Sequence, residues 1–362
     1  MTRRVVVAGL GDSGLLTAVG LATDADVVGV SAKPGLLSGQ ELGMRLARPD
    51  EWARNYWIAF ERFRGLDRVR RIHGTLSGLD LAARTIEVTR GDEPPLIEPF
   101  DALVIATGVT NGFWRRPEWQ SAEDIDAGLT AAHRQVADAV CIAVVGGGPA
   151  AVSSAANIAS RWPDKQVDLY FPGAQALSNY HPRVWRTISR RLADLGVGVH
   201  PGYRAALPAT TAITSAPVQW TTGQPPTTAD AVLWAVGRVT PNTGWLPPEI
   251  LDDNGFVRAG LDLQVPGYPG GFAIGDVAAT DPLRTSARSR ADKILIRNVR
   301  AYLDGGKLRQ FRPRSQRWGS VLGPQPNGLE VFAPNGRAFR LPAAVVTPIV
   351  QRTIYRGVRP LR

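Results

Sequence analysis

Two glycine-rich segments carry the clearest chemical pattern in the sequence. The first runs Gly9-Leu10-Gly11-Asp12-Ser13-Gly14, and the second runs Gly146-Gly147-Gly148-Pro149-Ala150-Ala151. In a GxGxxG pattern, the glycines permit a tight turn, let backbone amides approach a pyrophosphate and allow a helix to pack closely on a strand. Both segments are therefore predicted to bind phosphate groups at the start of a helix.

Each glycine segment has the neighbours that this chemistry requires. The apolar run Val5–Ala8 precedes the first segment, and the helical pattern Leu15–Ala22 follows it. Cys141–Val145 and Val152–Arg161 flank the second segment in the same order. A buried strand, a glycine turn and a helix are thus predicted twice.

A second apolar run that closes on glycine follows each segment after roughly a hundred residues. These runs are Ala102–Gly108, which ends Ala106-Thr107-Gly108, and Ala231–Gly237. A further run, Gly271–Asp276, ends in Gly275-Asp276 and precedes the helical pattern Arg288–Leu303. The chain is therefore interpreted as two copies of one unit.

With these motifs together, the sequence resembles the two-dinucleotide-binding flavoproteins of the pyridine nucleotide-disulfide oxidoreductase superfamily. The resemblance implies that the first segment holds the FAD pyrophosphate and the second holds NAD(P)H. It also implies that the flavin site includes Ala106, Thr107, Gly108, Gly275 and Asp276, and that the second site includes Gly237. The implied fold class is α/β, with two Rossmann-like FAD- and NAD(P)-binding domains and a small C-terminal cap.

Within the superfamily, the sequence is most similar to NAD(P)H:quinone oxidoreductases of the AMID or ferroptosis-suppressor type, and to type II NADH dehydrogenases. Three features carry this comparison: Arg45 near a flavin-contacting arginine, Leu76 in the adenine-contacting strand Gly74-Thr75-Leu76, and the C-terminal segment Gly328–Tyr355. The resemblance implies hydride transfer from NAD(P)H to flavin N5, followed by electron transfer to a quinone-like acceptor.

The second predicted strand of each repeated unit lacks the terminal Asp or Glu that dinucleotide-binding units usually have. A carboxylate normally binds the ribose hydroxyls there, but the first unit has Ser31 with Lys33 nearby, and Val167–Pro172 ends without an acid. The missing acid in the second unit permits NADPH, because no carboxylate would repel a 2′-phosphate. Arg183, Arg186 and Arg204 are candidate partners for that phosphate, with a solvated surface role as the alternative.

The remaining residue counts exclude several kinds of chemistry. Cys141 is the one cysteine, so the chain can form neither an internal disulfide nor a CxxC redox pair. The sequence shows no GxSxG, no HExxH and no cysteine–histidine metal spacing. No metal is therefore predicted, and the hydride chemistry is assigned to the cofactors.

Aromatic residues concentrate between Glu41 and Phe63. Trp52, Tyr56, Phe60 and Phe63 recur at helical spacing and are predicted to share one helix face. Core packing is one interpretation, and an apolar wall for a quinone-like acceptor is the other. Glu41 is a candidate proton donor beside such a wall.

The positive charge lies near the C-terminus. Residues 284–362 contain 17 basic and 3 acidic side chains, for a net charge of +14, whereas residues 1–283 carry −4. Thr347-Pro348 is typical of a helix start. After it, Ile349, Val350, Ile354 and Val358 form an apolar stripe opposite Arg352, Arg356 and Arg359.

Three partners could cover this basic amphipathic helix: an anionic membrane surface, the chain's own FAD domain, or a second copy of the chain in a homodimer. The charge total alone gives no support for a nucleic-acid partner. The alternative function is nevertheless a redox-sensitive flavoprotein that acts mainly by binding a polyanion, such as DNA, or a protein partner.

No signal peptide or transmembrane segment is convincing in the sequence, since Asp12 interrupts the N-terminal apolar run. We therefore expect a cytoplasmic protein that touches the inner face of a membrane if its C-terminal helix binds there. The predicted domains are an FAD domain at 1–115 and 245–315, an inserted NAD(P)H domain at 116–244 and a cap at 316–362.

Overall fold

The computed structural model describes residues 3–39, 41–91, 93–111, 116–208, 213–236, 239–281, 283, 290–313 and 319–346. The main helices in chain order are α1 (Asp12–Leu21), α2 (Leu42–Ala47), α3 (Pro49–Tyr56), α4 (Ala122–Asp138), α5 (Pro149–Arg161), α6 (Pro182–Asp194) and α7 (Ala291–Leu303). Short 3₁₀ helices are Phe60–Arg62, Arg64–Arg68, Pro248–Ile250 and Gly275–Val277. Within these ranges, no helix combines the length and apolar character needed to cross a bilayer.

The strands form two parallel sheets and several small antiparallel ones. In chain order they are β1 (Arg4–Ala8), β2 (Asp26–Ser31), β3 (Gly35–Leu37), β4 (Trp57–Ala59), β5 (Val69–His73), β6 (Thr75–Asp80), β7 (Thr85–Arg90), β8 (Glu93–Pro99), β9 (Ala102–Ile105), β10 (Val109–Asn111), β11 (Cys141–Val145), β12 (Gln166–Phe171), β13 (Gly198–Pro201), β14 (Ala231–Trp234), β15 (Val239–Pro241), β16 (Gly271–Ala273), β17 (Pro324–Gln325), β18 (Gly328–Phe332) and β19 (Ala338–Leu341).

The first parallel sheet has the strand order β16-β9-β1-β2-β5. Strand β1 lies in its centre, with Val7 opposite both Gly29 of β2 and Val104 of β9. Val5, Val6 and Val7 are fully buried, because layers cover both faces of a central parallel strand. This burial explains why the strand is a continuous apolar run instead of an alternating one.

The second parallel sheet repeats the arrangement in the order β13-β12-β11-β14. Central β11 pairs with β12 and β14, as β1 pairs with β2 and β9. In both sheets the first strand leads through a glycine turn into a helix, α1 or α5. The predicted α/β fold with two related units is confirmed. We call the first of these sheets, with the elements packed against it, the first unit. The second sheet, with the elements packed against it, is the second unit.

Two predicted helices begin earlier than expected. Helix α1 begins at Asp12, not at Leu15, and α5 begins at Pro149, not at Val152. The last three residues of each glycine segment are thus part of the first helical turn, which is where backbone amides are available to a ligand.

The aromatic stripe does not lie on one helix, so that prediction is wrong. Helix α3 ends at Tyr56. The chain then forms β4, which pairs antiparallel with β3, before Phe60 begins a 3₁₀ helix. Trp52, Tyr56, Phe60 and Phe63 are all at least 96% buried in the core of the first unit, as the packing interpretation predicts.

The three-stranded antiparallel sheet β17-β18-β19 lies within the predicted cap at 316–362. The predicted basic helix after Thr347 lies outside the described residues, as does Gly237. The proposed domain limits at 115, 244 and 315 stay a prediction.

Candidate nucleotide-binding site

The glycines of the first loop, Gly9–Gly14, meet two different steric requirements. We call this loop the first cradle. Gly9 has φ +103°, and a Cβ there would lie 2.5 Å from the carbonyl O of Ala106. A Cβ at Gly14 would overlap the carbonyl O of Gly9. By contrast, a Cβ at Gly11 would meet nothing within 4 Å. Two glycines therefore permit close packing, and the third leaves open space beside the backbone.

The open space at Gly11 belongs to a pocket at the carboxyl ends of the first sheet's strands, where α/β folds bind ligands. Helix α1 has Gly11 as its N-cap, so no side chain caps its first amides. This cradle fits a diphosphate, because a Cβ at Gly11 would fill the space that such a group needs. The predicted residues that line the pocket are Gly9, Gly11, Asp12, Ser13, Ser31, Lys33, Leu76, Ala106, Thr107, Gly108, Gly275 and Asp276.

The turn at Gly275 brings the Gly-Asp pair to the start of α1. Gly275 has φ +85°, and a Cβ there would lie 3.5 Å from Ser13 Oγ. Helix α7 begins shortly afterwards and packs against α1 through Ile296, which occupies the space beside Gly20. Residues far apart in sequence thus close one end of the pocket.

At the opposite end of the pocket, Ser31 and Lys33 stand where a carboxylate was expected. Ser31 Oγ accepts a hydrogen bond of 3.2 Å from the backbone N–H of Lys33. Lys33 Nζ donates to the carbonyl O atoms of Arg116 (2.8 Å) and Glu118 (3.1 Å). The pocket end therefore carries a cation whose side chain also holds the segment that leads to α4.

Burial lowers the pKa of the Lys33 ammonium from 10.5 to about 8. The negative charge of Glu118 opposes this shift, and the positive charge of Arg45 adds to it. Because the pKa lies close to physiological pH, a modest change in local charge would alter the protonation of this group.

Two pocket residues, Asn242 and Trp245, were not identified from the sequence. Asn242 Nδ2 donates to the carbonyl O of Thr107 (3.0 Å), and Thr107 Oγ1 donates to the carbonyl O of Asn242 (2.8 Å). Antiparallel pairing of β10 with β15 brings the two segments together. The turn-forming pair Pro241-Asn242 was the available signal, but its partner is 135 residues away.

The second glycine loop, Gly146–Ala151, repeats the steric pattern of the first, and we call it the second cradle. Gly146 has φ +143°, and a Cβ there would overlap the carbonyl O of Ala235. A Cβ at Gly148 would meet nothing within 4 Å. Gly148 is the N-cap of α5, and Pro149 and Ala150 form its first turn. The second cradle thus fits a diphosphate by the same criterion.

Of the three candidate arginines, Arg204 follows a residue that is hydrogen-bonded to the end of β12. Its neighbour Tyr203 donates its backbone N–H to the carbonyl O of Phe171 (3.0 Å). Arg183 instead lies beside the turn at Gly336, whose Cβ would be 2.8 Å from Arg183 Cβ. Arg186 is on α6, and all three arginines are exposed.

Glu41 and Arg45 are not among the residues that line the pocket. Glu41 begins α2 with φ 52°, and its carboxylate occupies the space beside Gly323. Arg45 is 94% buried, with its guanidinium 4.8 Å from the centroid of the Trp52 ring. The structure thus places both Glu41 and Arg45 outside the pocket beside the first cradle.

Comparisons with known proteins agree with this architecture. A family model described as "Pyridine nucleotide-disulphide oxidoreductase" matches residues 3–294. The chain is similar to "Oxidoreductase ptaL" of Pestalotiopsis fici, with 28% identity over 70% of this chain and 66% of the relative. It is also similar to "Ferroptosis suppressor protein 1" of Xenopus tropicalis, with 24% identity over 67% of this chain and 66% of the relative. The chain thus spans just under two thirds of the length of these two relatives.

Among solved structures, the fold is similar to that of the water-forming NADH oxidase from Lactobacillus brevis bound to NADH. The TM-score is 0.67, with 16% sequence identity, over 91% of this chain and 75% of the oxidase. This likeness supports the two-unit fold.

Proposed function

Because the chain belongs to the pyridine nucleotide-disulphide oxidoreductase family, we propose that it transfers electrons from NAD(P)H through FAD to a quinone-like acceptor. The prediction of FAD and NAD(P)H as cofactors is confirmed at the level of this family. When bound, FAD supplies the redox chemistry by accepting a hydride and passing electrons on. The residues of this chain bind and orient the two nucleotides.

One observation carries the proposal: the two cradles share one steric design. Gly11 and Gly148 each leave open space where a Cβ would stand, while Gly9 and Gly146 each pack against a neighbouring carbonyl. A single cradle would serve many nucleotide-binding proteins. Two in one chain of this family support a pair of nucleotides, FAD at the first cradle and NAD(P)H at the second.

The residues proposed to hold FAD lie around the first cradle. Gly11 and the first turn of α1 would receive the diphosphate, and Asp276 would meet the ribityl end. Ser31 and Lys33 would meet the adenosine end. We propose the division into an FAD domain at 1–115 and 245–315, an NAD(P)H domain at 116–244 and a cap at 316–362.

The position of the single cysteine supports an acceptor other than a disulfide of this chain. Cys141 begins β11, whereas the second cradle follows the carboxyl end of that strand. Its Sγ lies 3.7 Å from Gln166 Oε1, at the amino end of the strands, whereas the cradle lies at the carboxyl end. Electrons would therefore leave the flavin directly, and a quinone-like small molecule is the acceptor class that the ferroptosis-suppressor likeness favours.

The basic C-terminal region favours a second candidate. Residues 284–362 carry a net charge of +14, which would attract either the anionic inner surface of a membrane or another polyanion such as DNA. On the leading proposal this region gives peripheral contact with the membrane that contains the quinone. On the alternative, the flavin's redox state governs the binding of the polyanion or a protein partner.

Steady-state turnover and DNA binding distinguish the two candidates. The FAD-loaded protein is mixed with NADH or NADPH and a water-soluble quinone, and its binding to duplex DNA is measured at about 50 and 200 mM salt. Rapid quinone reduction with weak DNA binding supports the enzyme. Negligible turnover with tight, strongly salt-dependent DNA binding supports the alternative. A chain truncated before Thr347 serves as the control for the basic helix.

A further inference from the structure

A buried polar cluster joins the first unit, the second unit and the C-terminal segment. Its centre is Asn157 on α5, which is 99% buried. Asn157 Oδ1 accepts a 2.8 Å hydrogen bond from Arg48, which lies between α2 and α3. Asn157 Nδ2 donates a 2.8 Å hydrogen bond to the carbonyl O of Leu322. One side chain thus contacts parts of the chain more than 100 residues away on either side.

Two neighbours strengthen this junction. Arg48 also donates to the carbonyl O of Pro324 (2.8 Å), and Gln325 Nε2 donates to both Asn157 Oδ1 (3.3 Å) and Leu322 O (3.0 Å). Ser153, one turn before Asn157, donates to Leu322 O at 3.3 Å. Since every bond in the cluster needs its partner in place, the cluster specifies one relative position of the three segments.

The backbones of α2 and α5 approach closely at the same place. A Cβ at Gly43 of α2 would collide with the backbone of Ser153 and Ser154 on α5. Helix α5 begins at the second cradle, with Gly148 as its N-cap. The position of the second cradle relative to the first unit therefore depends on how α5 is seated against α2.

We propose that Asn157, held by Arg48 and residues 322–325, is a positioning residue that sets the distance between the two bound nucleotides. This inference rests on the proposed function and adds to it. The cluster touches neither nucleotide and acts through α5. A shift of about 1 Å in the placement of reacting groups can reduce a rate about 100-fold, so a small displacement of α5 would slow the hydride step.

Pre-steady-state reduction of the flavin separates positioning from folding and binding. Asn157→Ala removes the centre of the cluster, and Arg48→Met removes its donor from the first-unit side. Glu51→Gln is the matched control, because it breaks the 3.6 Å Arg48–Glu51 ion pair while leaving the Asn157 and Pro324 bonds in place. FAD content, the nucleotide Kd and the limiting rate of flavin reduction are measured anaerobically for each.

The expected result for Asn157→Ala and Arg48→Met is a limiting reduction rate about 10- to 100-fold below that of the unsubstituted protein, with FAD content and nucleotide Kd within about twofold. Glu51→Gln should reduce at the unsubstituted rate. A rate within about twofold in both cluster variants, or a loss explained by FAD or nucleotide release, overturns the inference. If neither NADH nor NADPH reduces the unsubstituted protein, the proposed function fails, and the inference fails with it.

Discussion

Thr107 and Asn242 are joined by reciprocal hydrogen bonds, each side chain donating to the other residue's carbonyl O at 2.8 and 3.0 Å. A third bond, from Thr110 Oγ1 to Asn242 Oδ1, measures 2.7 Å. Thr107 precedes β10, where the chain leaves the first unit, and Asn242 follows β15, where it returns. Thr107 and Asn242 therefore form part of the pocket wall. Their bonds also join the two chain segments that connect the first unit with the second.

We predict that Asn242→Ala weakens both stability and FAD binding. The substitution leaves the Thr107 carbonyl and the Thr110 hydroxyl without their Asn242 partner groups, and each such loss costs about 1–3 kcal/mol when the group is buried. Denaturant unfolding and FAD titration of the apoprotein measure the two effects. Asn254→Ala, at an exposed turn, is the matched control and should change neither. Equal values for the two variants would contradict the assigned role.

We predict that Lys33 makes FAD binding dependent on pH. Its pKa is lowered to about 8, so the ammonium is charged at pH 7 and mostly neutral at pH 9.5. A charged ammonium at the adenosine end of the pocket attracts the negatively charged cofactor, so affinity should fall about two- to fivefold over this range, the scale of a solvent-screened ion pair. FAD titrations of apoprotein at both pH values measure the change, and Lys33→Met should lose it.

The stability of the apoprotein should follow the opposite trend. Between pH 8 and 10.5 the unfolded chain still holds the Lys33 proton, while the folded protein has released it. The unfolded state then binds more protons, so this group's contribution to the free energy of unfolding rises with pH in that window. Denaturation curves of the unsubstituted protein and Lys33→Met across the window isolate the contribution. An identical pH dependence in the two proteins would exclude the assigned pKa.

Phe60 provides a test of the packing interpretation of the aromatic residues. It is 96% buried, whereas Phe339 is 49% exposed. Phe60→Ala should lower the free energy of unfolding by about 3–5 kcal/mol, and Phe339→Ala by no more than about 0.5 kcal/mol. Denaturant unfolding compares them. If Phe60→Leu instead raised the KM for a quinone without loss of stability, the acceptor-wall interpretation would be the correct one.

The repeated units could be predicted because their signals are local. A short apolar run, a glycine turn and a helical pattern occupy about twenty residues in each unit. The carbonyls that require glycine at positions 9 and 146 belong to Ala106 and Ala235, which lie on the second apolar run of each unit. Pocket residues such as Thr107 and Asp276 were predicted from the resemblance to the two-dinucleotide-binding flavoproteins. Asn242 and Trp245 were not, because they reach the pocket only after β10 pairs with β15.

The aromatic segment shows where a periodic pattern misleads. The four-residue spacing from Tyr56 to Phe60 suits a helix, but β3 offers pairing to residues 57–59, and the chain extends there. Arg45 illustrates a related limit: its guanidinium packs over Trp52, a contact that depends on the fold of α2 against α3. Tertiary packing overrides the local pattern at both places.

The central claim is that the second cradle delivers NAD(P)H to a flavin held by the first. Gly148→Val tests it, because Gly148 has φ −85° and open space around its Cβ position, so valine fits the fold but fills the cradle. Gly11→Val is the counterpart at the first cradle. Gly128→Ala, at an exposed site on α4 with nothing within 4 Å of the added Cβ, is the control.

The decisive measurement is the flavin absorbance spectrum during anaerobic titration with NADH and with NADPH. The account predicts that the unsubstituted protein and Gly128→Ala lose their flavin colour on titration. Gly148→Val should retain FAD that neither nucleotide reduces, and Gly11→Val should fold without FAD. A Gly148→Val protein that is reduced as readily as the unsubstituted protein, or a Gly11→Val protein that keeps its flavin, would contradict the account.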